Sequence, residues 1–175
     1  MKVTVFTDGA ARANGTGPGG YGALLRYVDP AGRKHERQLS GGYRLTTNNR
    51  MELMGAIAAL EALVRPCEVD LYSDSSYVIK AFTEDWIGTW KKQDFRRGRR
   101  GEVRNIDLWE RLLAAAEPHT ITFHWVKGHA GHPENELCDK LATSAADADE
   151  ADLLVDDVYE KEVSERESEE KECDS

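Results

Sequence analysis

Apolar and polar positions alternate with a period of two at the start of the chain. Val3 and Val5 stand between polar neighbours, which predicts a strand ending near Thr7. A glycine-rich loop is expected over residues 14–22. Residues 21–28 and 34–43 read as two further strands, separated by the turn Asp29-Pro30-Ala31-Gly32. These three strands form an antiparallel meander. The period then lengthens to that of a helix. Leu53, Ile57, Leu60 and Val64 fall on one face, predicting a helix over residues 50–64. Thr46, Thr47, Asn48 and Asn49 offer capping side chains before it, Gly55 marks close packing within it, and Pro66 closes it. A short buried strand over residues 69–73 and a short helix from Ser75 come next. Asn105 or Asp107 caps a helix carrying Leu108, Leu112 and Ala116. Residues 120–125 read as a fifth strand, and Pro133 opens a last helix to about Ala146. The order β-β-β-α-β-α-α-β-α implies an α/β fold: a five-stranded mixed sheet, three strands antiparallel then two parallel, with helices on both faces.

The chain has 175 residues, enough for one domain with a real core. No stretch reaches the roughly 18–20 apolar residues of a membrane span, so no membrane partner is expected. The N-terminus lacks the shape of a signal peptide. Cys67, Cys138 and Cys173 are far apart and without metal-ligand spacing, so reduced thiols and a cytoplasmic location are expected.

The net charge of −9 is unevenly spread. Residues 147–175 hold 14 acidic and 3 basic side chains, a net −11; the other 146 residues hold 18 and 20, a net +2. The chain therefore divides into a nearly neutral body, residues 1–146, and an acidic tail. The tail's charge and few aromatics predict disorder, with Leu153, Leu154, Val155, Val158 and Tyr159 as a short docking patch and no partner indicated.

Four acidic residues stand out by position. Asp8 follows the first strand, Glu52 lies in the first turn of the first long helix, Asp74 ends the fourth strand, and Asp139 lies in the last helix. If the first and fourth strands are parallel neighbours, Asp8 and Asp74 meet at one end of the sheet. Clustered carboxylates repel unless neutralised. Hard divalent cations neutralise them, and magnesium is the usual choice beside phosphates. Two such ions about 3.5–4 Å apart serve phosphodiester hydrolysis.

The run Phe6-Thr7-Asp8-Gly9-Ala10, then Gly17-Pro18-Gly19-Gly20-Tyr21-Gly22, then Thr47-Asn48-Asn49-Arg50-Met51-Glu52-Leu53-Met54, resembles bacterial type-1 ribonuclease H. So do Ser73-Asp74-Ser75 with Tyr77-Val78, the stretch from Trp125 through Gly128-His129-Ala130-Gly131-His132 to Glu136, and Cys138-Asp139. The resemblance covers residues 1 to about 146. It implies the ribonuclease H-like fold and an endonuclease that hydrolyses the RNA strand of RNA–DNA hybrids with two magnesium ions, manganese substituting, leaving 5′-phosphate and 3′-hydroxyl ends. Asp8, Glu52, Asp74 and Asp139 match the metal-binding carboxylates. His129 matches a mobile histidine that shuttles protons or helps product leave; His132 is left as structural. By resemblance the protein is a monomer, active in removing primers and hybrid loops, with no hybrid-binding domain expected ahead of the first strand.

The substrate must be told from DNA by its 2′-hydroxyls, and asparagine amides can both donate to them and accept from them. By resemblance Thr47, Asn48 and Asn49 face the hybrid's minor groove, and Asn14 joins them. Residues 91–104 hold Lys91, Lys92, Arg96, Arg97, Arg99, Arg100 and Arg104 against two acids, with Trp86, Trp90 and Phe95 interleaved. This basic stretch resembles the family's protrusion that grips the DNA strand. Trp86 is assigned to the binding channel, Trp90 is left between channel and core, and Asn105 matches a DNA-contact position. Gly15-Thr16 adds a residue to the loop beside Asn14, and Ser76 replaces a frequent glutamine. The rivals are a DNA-processing nuclease of the same fold and a catalytically silent hybrid-binding module.

Overall fold

The computed structural model describes residues 1–92, 104–128 and 131–174. Among them the order is β1 (Lys2–Ala11), β2 (Gly17–Val28), β3 (Lys34–Thr46), α1 (Asn48–Glu61), β4 (Glu68–Ser73), α2 (Ser76–Thr83), α3 (Trp86–Lys92), α4 (Ile106–Ala116), β5 (Thr120–Trp125), α5 (Pro133–Ala146), a 3₁₀ turn (Glu150–Asp152) and α6 (Asp157–Cys173). The sheet order is β3-β2-β1-β4-β5. β1 pairs antiparallel with β2, and β2 with β3; β1 pairs parallel with β4, and β4 with β5. The expected α/β mixed sheet is what the chain forms.

Alternation along β1 sends Val3, Val5 and Thr7 to one face. There they pack with Leu53, Ile57 and Leu60 of α1, Leu71 of β4 and Trp109 and Leu112 of α4. Gly55 lets α1 lie close on β1, its missing Cβ 3.2 Å from the Asp8 carbonyl and 3.4 Å from Thr7. α5 covers the opposite face of β1 and β2 through Leu24, Cys138 and Ala142. Burial there pushes the Cys138 thiol up to about 12, which keeps it unreactive.

Four sequence expectations need correction. The glycine-rich segment is strand, because β2 begins at Gly17. A Cβ at Gly22 would stand 2.4 Å from the Cys138 carbonyl, so glycine there admits α5 against the sheet. β1 likewise continues to Ala11, which places Asp8 inside the strand. α1 starts at Asn48 and stops at Glu61, leaving Glu52 beyond its first turn and Val64 91% exposed. Val64 and Arg65 lead into Pro66, and a residue before proline resists helical dihedrals.

The tail is the fourth. From Asp157 it is helical, and its start is bound to the body. Leu154 bridges β3 beside Tyr43, donating to the Gly42 carbonyl at 2.8 Å and accepting from Arg44 at 3.0 Å. Tyr159 is buried. Asp156 caps α6 by accepting from the Tyr159 N–H, and the pair Lys161–Glu165 links successive turns. Composition alone does not reveal these partners.

Candidate active site

The parallel register of β1 and β4 ends with Thr7 opposite Ser73, so Asp8, still paired to β2, and Asp74 stand side by side just past that end. α1 adds Glu52. Its approach depends on Gly9, where a Cβ would lie 2.4 Å from the backbone of Met51 and Glu52. One carboxylate oxygen from each of Asp8, Glu52 and Asp74 falls within a 4.8 Å cluster. Asp139 of α5 stands outside that set, yet its charge reaches Asp8.

The electrostatics are those of a site short of positive charge. Burial, and then the charges of Asp74 and Asp139, push the Asp8 carboxyl up to about 7, against the opposing Gly9 N–H that donates to it at 2.9 Å. Burial, and then Asp8 and Asp74, push Glu52 well above the carboxylate range. Glu52 Oε2 is buried without a hydrogen-bond partner among the described residues. An orphaned oxygen among converging carboxylates fits a hard divalent cation.

The amide residues gather beside this cluster. Thr47 caps α1, its hydroxyl accepting from the Arg50 N–H at 3.1 Å. Asn48 and Asn49 are exposed at the helix start. The Asn48 side-chain oxygen accepts from the Ala11 N–H at 2.7 Å, which orients its amide nitrogen outward from that bond. Asn14 joins the group: its side-chain oxygen accepts from the Asn48 N–H at 3.0 Å. The extra loop residue is absorbed by positive φ at Asn14 (24°) and Gly15 (111°). Asn105 takes a left-handed conformation (φ 60°) and makes no side-chain cap bond. Its amide instead donates to the Tyr77 hydroxyl at 3.1 Å and accepts from Arg50 at 3.3 Å.

Lys91 and Lys92 are exposed at the end of α3. Trp86 is half-buried against the core, 6.3 Å from the Trp90 ring; Trp90 is core, edge-on to Trp109. His129, Phe95 and Arg96, Arg97, Arg99 and Arg100 lie outside the described residues. The segment entering His129 does reach the site: a Cβ at Gly128 would lie 2.7 Å from Asp74 Oδ2.

Sequence reasoning missed Arg50. It is fully buried, and donates to Asp107 at 3.0 and 2.7 Å and to Asp156 at 2.8 and 3.1 Å. Burial alone would lower its pKa; the two carboxylates more than offset this and raise it. The signal was present, since Arg50 leads the apolar stripe Leu53, Ile57, Leu60, and a charge on such a stripe needs a partner.

An α/β mixed sheet with three carboxylates converging at the end of its parallel β1–β4 pair defines a class of proteins equipped to hold a metal ion. The RNase H family profile matches residues 1–147, and the chain belongs to that family. It is 60% identical to ribonuclease H of Lachnoclostridium phytofermentans over 160 residues, covering 91% of this chain and all of that protein. Because 91% of 175 residues exceeds 147, this likeness runs into the tail. The fold is similar to crystalline LC9-RNase H1, a type 1 RNase H with the type 2 active-site motif: TM-score 0.77, 32% identity, 91% of this chain and 79% of that one. LC11-RNase H1, solved in complex with an RNA/DNA hybrid, shares the fold at TM-score 0.59 and 21% identity over 83% of this chain and 96% of that one.

Proposed function

We propose that this protein is an endonuclease that hydrolyses the RNA strand of RNA–DNA hybrids, leaving 5′-phosphate and 3′-hydroxyl ends. One observation carries the reading: the carboxylates of Asp8, Glu52 and Asp74 converge beside the Asn48–Asn49 start of α1. Cutting and recognition then share one helix end.

Asp8, Glu52 and Asp74, with Asp139 from α5, are the groups that would hold two magnesium ions, or manganese in their place. When bound, such ions lower the pKa of a water and stabilise the charge that develops on the leaving oxygen. The chain's own residues do the rest. Gly9 lets α1 bring Glu52 against β1, and Gly128 lets the segment after β5 approach Asp74. Asn48, with its oxygen bound to Ala11, has its amide nitrogen to offer a 2′-hydroxyl, and Asn14 and Asn49 stand beside it. Lys91, Lys92 and the basic residues that follow them hold the DNA strand by its phosphates, so base sequence matters little and salt weakens binding. Asn105 and Trp86 belong to the same strand's channel. His129 carries protons at the leaving oxygen or assists product release, a role suited to an imidazole, which can both take and give a proton.

The protein acts as a monomer in the cytoplasm, on primers and hybrid loops. Among the described residues no helix is long and apolar enough to cross a membrane. A labelled hybrid incubated with magnesium or with chelator tests the function. Metal-dependent cutting of the RNA strand alone, lost in Asp74→Asn, is expected. A folded wild type that binds hybrid and never cuts it would leave a binding module.

A further inference from the structure

A polar pocket of about 520 Å³ opens beside the start of α1. Its body side is made by Asn14, Thr47, Asn49 and Asn105, the amide and hydroxyl groups read above as substrate contacts. Its other wall is α6, which presents Glu162 and Arg166, and Arg104 stands at the rim. No reading of the sequence placed anything from the tail in this groove.

We propose that Arg166 is a further substrate-binding residue, which takes a backbone phosphate of the hybrid across this pocket in place of its resting partner Glu162. This rests on the proposed hybrid substrate.

The placement is not accidental crowding by a loose tail. Four contacts fix the origin of α6: Leu154 on β3, Asp156 on buried Arg50, the Tyr159 hydroxyl donating to the Gly15 carbonyl at 3.0 Å, and Glu160 accepting from Arg44 at 2.9 Å. Gly15 follows Asn14, so the strap also steadies the loop that carries an amide of the pocket. Beyond Glu160 the helix is mostly exposed, and the two residues it turns toward the pocket are one turn apart.

The charges on that wall favour an anion. Arg104 and Arg166 are the cations lining the pocket and Glu162 its one acid among the described residues, in a lining otherwise of amides, hydroxyls and glycine. A guanidinium fork with nearby amides matches phosphate oxygens. The Glu162–Arg166 contact is 3.5 Å long and half exposed on both sides, hence weak enough for a phosphate to displace. The helix is net −5 over Asp157–Cys173, and Glu169 and Glu170, one turn beyond Arg166, reduce its pull on a phosphate, but neither lines the pocket.

The test is hybrid binding by the full chain in chelator, across a salt series, with cleavage measured separately in magnesium. Arg166→Ala is expected to bind about 3- to 10-fold more weakly at low salt, with a log–log salt slope shallower by about 0.9 and kcat unchanged. Glu162→Gln is expected to bind more tightly than wild type. An Arg166→Ala protein with wild-type affinity and slope, or with tighter binding, overturns the proposal; the latter would make α6 a repulsive rim. If wild type fails to cut hybrid at all, it is the proposed function that fails, and the binding series reports on Arg166 separately.

Discussion

Two buried charge clusters lie two residues apart on α1, and they are opposites. At Arg50 a fully buried guanidinium meets Asp107 and Asp156 through four hydrogen bonds, and opposite charge is supplied from within the chain. At Glu52 the charged neighbours among the described residues are Asp8 and Asp74, of the same sign, and one oxygen has no partner there. The first cluster is a lock that joins α1, α4 and the tail. The second is the proposed site, since among the described residues no positive charge is paired with it. Such imbalances cluster at functional sites.

Removing a carboxylate from each cluster separates them most sharply. Asp74→Asn should lower hybrid cleavage by roughly a thousandfold or more while the protein stays folded, read by gel assay and circular dichroism. Asp156→Ala should do the reverse. It strips one partner from a buried cation, so chemical denaturation should show a loss of about 2–4 kcal/mol, with cleavage by the folded fraction largely kept. If Asp156→Ala leaves stability unchanged, Arg50 is not a lock.

The next effect concerns pH. The Asp8 carboxyl titrates at about 7 when folded and near 3.8 when unfolded. Between those values the folded chain binds more protons, so stability in chelator must fall as pH rises through this window, and the full penalty stands above pH 7. Asp8→Asn removes the penalty. It should raise the chelated protein's stability at pH 8 by about 2 kcal/mol, or roughly 4–8 °C in Tm, while abolishing activity. Saturating magnesium should stabilise the wild type and flatten its pH slope; an equal effect on Asp8→Asn would place the ion elsewhere.

The smallest change probes the lock's outer edge. Tyr159→Phe loses the hydroxyl that donates to Gly15 and leaves the carbonyl partnerless; a cost of about 0.5–1.5 kcal/mol is expected in denaturant unfolding, without effect on kcat.

Legibility in the sequence followed the range of the forces involved. β5 and α5 have the expected bounds, since alternation over residues 120–125 and Pro133 at a helix start act locally. The adjacency of Asp8 and Asp74 followed from strand order, and Glu52 from the motif beside it. Asn14 needed the fold: whether an enlarged loop still reaches α1 depends on two positive φ values and a bond to Asn48. The tail misled for a related reason. Its composition describes an isolated segment, whereas its first turn is held by Arg50, Arg44 and Gly15, more than a hundred residues earlier.

By itself the sequence determined most of the periodic elements, their order along the chain and the family, and singled out the carboxylates proposed for the site, because each is carried by local pattern or by residue type in register. Only the tertiary structure decided which charges are balanced. Arg50 and Glu52 are both ionisable residues on one helix, and nothing local separates a lock from a site. What separates them is what the rest of the chain brings to each in a medium of low dielectric, where an unmatched charge is costly and a matched one is held fast.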